Sequence, residues 1–120
     1  MSDKINITDK LSQFSEQWTP YIIGQMDDYY LKLSKIEGDF VFHKHDEGDE
    51  FFLVVKGRFR MDYEDRQDWI EEGEVVVVPK GVLHKPYAPD LCELLVIEKK
   101  EVINTGDTED DRRVEQPKRL

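Results

Sequence analysis

Short apolar runs and polar turns alternate along most of the chain. Between residues 21 and 102 the alternation repeats at roughly ten-residue intervals, which is typical of strands joined by tight turns. The pattern leaves room for very little helix, so it predicts an all-β sandwich or barrel. The predicted strands cover residues 21–24, 29–36, 40–45, 50–56, 58–63, 69–70, 75–78, 82–87 and 91–98.

Two of these segments show different patterns of burial. Residues 58–63 alternate, with Phe59, Met61 and Tyr63 on one face and charged side chains on the other, which indicates a half-buried strand. The four valines of residues 75–78 do not alternate, and such a run predicts a strand covered on both faces.

The two ends of the chain differ from this β-rich body. Residues 5–18 suit either one short amphipathic helix, with Thr8 as its cap, or an extended arm, and the sequence does not choose between them. Residues 107–120 are charged and lack an apolar pattern, which predicts a mobile tail that could still pack on a partner subunit. We therefore divide the chain into an N-terminal arm or short helix (1–20), a β-rich body (21–103) and a charged C-terminal tail (104–120).

Charge limits the classes of partner. The chain has 120 residues, enough for one domain, and a formal net charge of −10. A protein this acidic cannot neutralise a row of phosphates, so the sequence predicts no nucleic-acid partner. Binding to an anionic membrane surface is disfavoured for the same reason.

The chain has a single cysteine, Cys92, which lies in an apolar run and has no cationic neighbour in sequence. We interpret it as a small buried hydrophobe rather than a nucleophile. A lone cysteine fits a reducing compartment, and the N-terminal residues contain no basic stretch followed by an apolar one. The sequence therefore predicts a cytoplasmic protein without a signal peptide or membrane span.

All three histidines of the chain fall in one pattern with a glutamate: His43, His45, Glu50 and His84. Side chains two positions apart on a strand point to the same face, so His43 and His45 would share one. Glu50 is an odd number of positions from His45, and the turn at Gly48 would let it face back toward the pair. Imidazole and carboxylate together favour a first-row transition metal.

These residues also carry a resemblance to a known family. The order Gly38, His43-Lys44-His45, Glu50, Gly57, followed by Gly73, Pro79-Lys80-Gly81 and His84, resembles the two motifs of the cupin superfamily. The spacing is most similar to that of small one-domain cupins called mannose-6-phosphate isomerase-like. Two positions depart from the family pattern: Gly38 is one residue closer to His43 than usual, and Ala88 replaces an asparagine that often ends the second motif.

The resemblance implies a double-stranded β-helix, the cupin jelly-roll barrel, over residues 21–103. It also implies that His43, His45, Glu50 and His84 ligate one divalent transition metal ion, which could be Fe, Mn, Ni, Co or Zn. Four protein ligands leave one or two positions open, as a catalytic metal requires. The alternative is a metal-free cupin whose histidines form hydrogen bonds in a polar pocket.

Other side chains are weaker candidates. Parity along the strands places seven of them toward the pocket or the core: Tyr30, Lys32, Phe52, Met61, Tyr63, Tyr87 and Leu94. Among these, Lys32 and Tyr87 could supply a proton or bind an anion, and Glu50 could act as a base if it left the metal. The acidic residues Asp46, Glu47 and Asp49 are interpreted as a solvated hairpin tip.

The leading hypothesis is a metal-binding cupin that coordinates a small oxygen-rich molecule and catalyses isomerisation, lyase or dioxygenase chemistry. The alternatives are a non-catalytic binding or sensing module and a structural cupin with an unused site. A homodimer is expected, because valine-rich strands and the apolar residues of the N-terminal arm would leave surface to cover.

Overall fold

A computed structural model describes residues 4–120. The first three residues of the predicted N-terminal arm, on which the signal-peptide prediction partly depends, lie outside that range. The elements are α1 (Ile7–Leu11), β1 (Tyr21–Met26), β2 (Tyr29–Asp39), β3 (Glu50–Lys56), β4 (Phe59–Tyr63), β5 (Gln67–Ile70), β6 (Val75–Val78) and β7 (His84–Lys99).

All strand pairings among these elements are antiparallel, and β7 connects the two layers of the barrel. Its C-terminal part lies between β2 and β3, within the order β1-β2-β7-β3-β6. Its N-terminal residues, 84–87, pair with β4, which also pairs with β5, while Tyr87 still pairs with Asp39 of β2. One long strand therefore bends from one layer into the other, and this closes the predicted jelly-roll barrel.

The core fills the space between the layers. Its largest cluster includes Val54, Phe59, Met61 and Leu94, each at most 2% exposed. Cys92 belongs to the same cluster and is fully buried, and burial raises the pKa of its thiol to about 12. Its interpretation as a buried hydrophobe is confirmed, because a thiol with that pKa supplies almost no thiolate at neutral pH.

Helix α1 covers part of the outer face of the sheet. Leu11 and Phe14 pack with Ile23 and Leu33 in a second apolar cluster. The helix spans five residues and its N-cap is Asn6, whose side chain accepts a hydrogen bond from the Asp9 amide. The predicted cap at Thr8 is therefore wrong; Thr8 lies inside the helix. Beyond residue 11 the segment is an arm rather than a continued helix.

The C-terminal residues contradict the prediction of a mobile tail. The Ile22 amide donates to the Lys118 carbonyl, and the Leu120 amide donates to the Ile22 carbonyl, at 2.8 and 2.9 Å. The Arg112 guanidinium donates to the Asp39 carbonyl and lies 4.6 Å from the centre of the Phe40 ring. Charged side chains here contact the barrel of their own chain, which a hydropathy pattern does not reveal.

Three strand predictions need correction. Residues 40–45 form no regular strand, and only an isolated bridge joins His43 to His84. The predicted strands 82–87 and 91–98 are parts of the single strand β7. Strand β6 is not covered on both faces, because it lies at an edge of the sheet with Val75 and Val77 48% and 52% exposed. Across residues 4–120, no helix is long and apolar enough to cross a membrane.

Candidate metal centre

Backbone pairing brings His43 and His84 together across the barrel. The His43 amide donates to the His84 carbonyl at 3.0 Å, and the His84 amide donates back to the His43 carbonyl at 2.9 Å. These reciprocal bonds place the two imidazole ring centres 4.4 Å apart. The segment of residues 40–45 is irregular, but this bridge and a hydrogen bond from the Phe40 amide to the Pro86 carbonyl, at 3.1 Å, hold it against β7.

Two loops hold His45 and Glu50 on the same side of the barrel. The His45 carbonyl accepts a hydrogen bond from the Gly81 amide at 2.8 Å. The Asp49 carboxylate accepts one from the Lys80 amide at 2.9 Å. The Pro79-Lys80-Gly81 turn thus stabilises the loop of residues 46–49. Glu50, the first residue of β3, faces inward. Asp46, Glu47 and Asp49 are exposed, as predicted for a hairpin tip.

The four predicted ligands converge on one buried point. His43, His45, Glu50 and His84 are each at most 5% exposed, and one ligand atom from each lies within 4.8 Å of all the others. The Nε2 atoms of His45 and His84 both lie 3.1 Å from Glu50 Oε1. Metal–ligand bonds of about 2.1 Å place adjacent ligand atoms about 3 Å apart. The spacing therefore fits a single ion.

Hydrogen bonds orient two of the imidazoles. The Nδ1 atoms of His43 and His84 each lie 2.8 Å from a backbone carbonyl, of Val41 and Val82 respectively. A carbonyl only accepts, so each Nδ1 must carry the proton and donate it. That tautomer leaves the Nε2 lone pair free for a metal, which is the usual arrangement around ligating histidines.

His45 is the least satisfied side chain of the group. Within residues 4–120, neither of its ring nitrogens has a hydrogen-bond partner of good geometry, although the ring is buried. A buried polar group without a partner is rare and costs stability. A metal ion at the convergence point would satisfy Nε2, so the donor set and its unmet bonding capacity both fit an ion.

Electrostatics favours the metal-binding protonation states. Burial and the neighbouring His84 lower the pKa of His43 to about 4, so its imidazole is neutral at physiological pH. Burial raises the pKa of Glu50, but the adjoining Glu98, His45 and His84 outweigh it and hold that pKa well below its usual value. Neutral imidazole and ionised carboxylate are the forms that ligate metals.

A buried ion pair lies behind Glu50. Lys32 Nζ is 2.9 Å from Glu98 Oε1, with side chains only 2% and 3% exposed. Glu98 follows Ile97, which pairs with Phe51 in β3, so Glu98 and Glu50 are cross-strand neighbours. Burial and the Glu50 charge raise the pKa of Glu98 well above its usual value. Of the two carboxyl groups, Glu50 therefore ionises more readily.

Glu98 was not among the residues predicted for the site. It ends a run in which Leu94 and Val96 face inward, and the same parity places Glu98 inward too. Two lysines follow Glu98 in sequence, but the inward parity of the strand could have identified it.

A cavity of about 60 Å³ adjoins the centre. His43, Glu50, Lys32 and Glu98 are among its lining residues, and most of the remaining wall is apolar. Trp18 and Phe40, whose rings stack 4.5 Å apart, also line it. Polar groups therefore meet a small, mostly apolar space beside the candidate ligands, as in many binding sites.

The other pocket candidates divide into three groups. Lys32, Phe52 and Leu94 line the cavity as predicted, whereas Met61 and Tyr63 belong to the core cluster. Tyr30 does not line the cavity; its ring centre lies 5.4 Å from the Arg119 guanidinium.

Tyr87 faces away from the centre, with its ring 4.7 Å from the Arg60 guanidinium. It is an odd number of positions past His84 on one continuous strand, so the two side chains point to opposite faces. Its candidacy as a catalytic residue is therefore wrong.

Comparisons with known proteins agree with this architecture. A family model described as a cupin domain matches residues 31–98. The crystal structure of a cupin-2 domain containing protein from Shewanella frigidimarina NCIMB 400 is 43% identical, with a TM-score of 0.78, over 79% of this chain and 93% of that one.

More distant relatives provide weaker evidence for the family. The uncharacterized protein YdbB of Bacillus subtilis (strain 168) is 24% identical over 86 residues, 71% of this chain and 76% of YdbB. Hydroquinone 1,2-dioxygenase from Sphingomonas sp. TTNP3, in complex with 4-nitrophenol, is 21% identical with a TM-score of 0.71, over 81% of this chain and 32% of the dioxygenase, and shows likeness of fold alone. Together with the jelly-roll barrel and its buried histidines, the matched residues show that the chain belongs to the cupin family.

Proposed function

We propose that this cupin holds one divalent transition metal ion through His43, His45, Glu50 and His84 and binds a small oxygen-rich molecule beside it. The observation that carries the proposal is the convergence of four buried ligand atoms within 4.8 Å of one another, one of them on the His45 imidazole, which makes no hydrogen bond of good geometry within residues 4–120. Bound there, the metal would supply Lewis-acid polarisation of a ligand oxygen.

The chain's own residues would perform the remaining tasks. The Val41 and Val82 carbonyls fix the ring orientation of His43 and His84. The apolar wall of the cavity excludes water and strengthens the polar interactions inside it. Isomerase, lyase and dioxygenase chemistry all suit such a site, and the fold shared with hydroquinone 1,2-dioxygenase is the reason to include phenols among trial substrates.

Metal content tests the ligand assignment. We expect the purified protein to take up about one equivalent of Fe, Mn, Ni, Co or Zn, and the His84→Ala variant to lose most of it, because three ligands remain and the Glu50 contact is gone. Elemental analysis after gel filtration measures this directly.

Lys44→Ala is the matched control. Lys44 lies between the two ligating histidines, but its side chain is 41% exposed and points outward. Metal content should therefore stay at the wild-type level in this variant. Equal metal content in wild type and His84→Ala would show that the ligand set is wrong.

A non-catalytic binding or sensing module is the second candidate function. It is favoured by the outward orientation of Tyr87, which removes a proposed proton donor from the cavity. Turnover assays with sugars, sugar phosphates, diketones and catechols under air distinguish the two functions. Turnover of any of these by the metal-loaded protein supports an enzyme, whereas metal binding without turnover supports the module.

We also propose a homodimer in a reducing compartment such as the cytoplasm. The single cysteine is buried and unpaired. Part of the outer surface of the sheet is apolar; we call this the outer apolar face, made of Met26, Tyr29, Phe51, Val75, Val77 and Ile97. Apolar patches of this kind are typical of protein–protein contacts.

A further inference from the structure

From the buried pair Lys32–Glu98 we propose that the cavity selects a ligand with an anionic oxygen, such as a carboxylate, which Lys32 would bind. This inference rests on the proposed function, because the same ligand would contact the metal. Lys32 and Glu98 line the cavity together with His43 and Glu50. A ligand held at the metal centre would therefore come within reach of the Lys32 ammonium group.

The hydrogen bonding of the pair is incomplete. An ammonium group has three N–H donors, and in the part of the chain that is described Lys32 donates one hydrogen bond, to Glu98 Oε1 at 2.9 Å. The other carboxyl oxygen of Glu98, Oε2, has no partner there. Buried charged groups that serve only stability normally have their bonding capacity satisfied. The free donors of Lys32 therefore suit a further acceptor.

The charge of the cavity also favours an anionic ligand. Lys32 carries one positive charge and Glu50 one negative charge, while a divalent ion would add two positive charges. Even with Glu98 ionised, the group stays net positive in a wall that is otherwise mostly apolar. A monoanionic ligand would offset this charge, whereas a neutral one of the same shape would leave the ammonium without its acceptor.

Lactate and lactamide are suitable probes. Each presents a hydroxyl and a carbonyl oxygen in the same arrangement to a metal, but only lactate is anionic. Titration of each into Co(II)-loaded protein, followed by the visible absorption of the cobalt, gives two affinities and their ratio. Because the ratio is taken within one protein, differences in metal uptake between variants do not affect it.

We expect wild type to bind lactate at least about tenfold more tightly than lactamide, since hydrogen bonds between charged groups are stronger than those to neutral ones. Lys32→Met, which keeps most of the length of the side chain, should lower this ratio about tenfold from its wild-type value, and any preference that remains belongs to the metal. Lys44→Met makes the same change in net charge outside the cavity and should keep the wild-type ratio.

A second variant keeps the test valid if Lys32→Met does not fold. If Lys32→Met fails to fold because Glu98 is left unpaired, the double variant Lys32→Met/Glu98→Gln removes both charges, and replacing a buried ion pair as a whole is tolerated far better. It should show the same fall in the ratio. An unchanged ratio in the variants, a ratio near one in wild type, or no binding of either probe overturns the inference. Failure to take up Co(II) at all would instead refute the proposed function.

Discussion

Gly106 lies against the histidine pair from the C-terminal segment. Its φ is +56°, and a Cβ added there would clash with the Lys44 carbonyl and lie 3.1 Å from Cδ2 of His43. Both neighbours belong to the segment that carries two proposed ligands. The close approach therefore requires glycine and links the C-terminal residues to the geometry of the centre.

Substitution of this glycine tests the link. We expect Gly106→Ala to lower the free energy of unfolding by about 3 kcal/mol, which combines left-handed backbone strain with displacement of a tightly packed backbone. Metal affinity should fall by about tenfold or more, because His43 must move. Urea unfolding of the metal-free protein and a metal titration measure the two effects.

Gly73→Ala is the matched control for backbone strain. Gly73 has a φ of +79°, but a Cβ added there would meet nothing within 4 Å. This variant should lose only about 1 kcal/mol of stability from the left-handed conformation and keep its metal affinity. Equal losses of stability and affinity in the two variants would contradict the proposed contact with His43.

Single residues also show which parts of the site can be predicted from the sequence and which cannot. The ligand set was named from spacing and family resemblance, and the structure brings all four side chains together. Lys32 was placed correctly by strand parity, but its partner Glu98 was not foreseen. The pairing depends on the register between β2 and β7. Lys32 and Glu98 lie more than sixty residues apart in sequence, and local sequence patterns do not predict the register of strands so far apart.

At the level of elements, apolar segments bounded by turns predicted several strands close to their observed bounds. Strand β4 has inward residues that alternate with charged ones, whereas β3 is a continuous apolar run between Glu50 and Lys56. Residues 40–45 were also predicted as a strand, but they form no regular strand. They follow the end of β2, and beyond the bridge to His84 they make single backbone hydrogen bonds to Pro86 and Gly81, so their geometry serves side-chain placement rather than sheet pairing.

Strand β6 shows a second limit. Four consecutive valines indicate burial on both faces, but Val76 and Val78 alone point toward the barrel interior. Val75 and Val77 project outward at the edge of the sheet. A run of apolar residues predicts that a surface is buried. It does not predict whether the same chain or a second copy of the chain buries it.

For the whole molecule, this exposed surface leads to a prediction on assembly. We expect wild type to sediment as a dimer at micromolar concentration, with the outer apolar face in the contact. Val77→Asp should shift the protein toward monomer, because it places a charge in the centre of an apolar contact and adds to a net charge that is already −10.

Leu91→Asp provides the control for this change. Leu91 is 46% exposed, similar to the exposure of Val77, but it lines a different surface, with Lys56, Arg58 and Glu71. The variant makes the same change in charge and should remain dimeric. A monomeric wild type, or the same dissociation in both variants, would argue against an interface on the outer apolar face.

The most direct test of the central claim is anomalous diffraction from crystals of the Co(II)-loaded protein, recorded on both sides of the cobalt absorption edge. We expect one anomalous peak per chain, about 2.0–2.3 Å from Nε2 of His43, His45 and His84 and from a carboxylate oxygen of Glu50. No peak at this point, or a peak with the His84 ring beyond bonding distance, would contradict it.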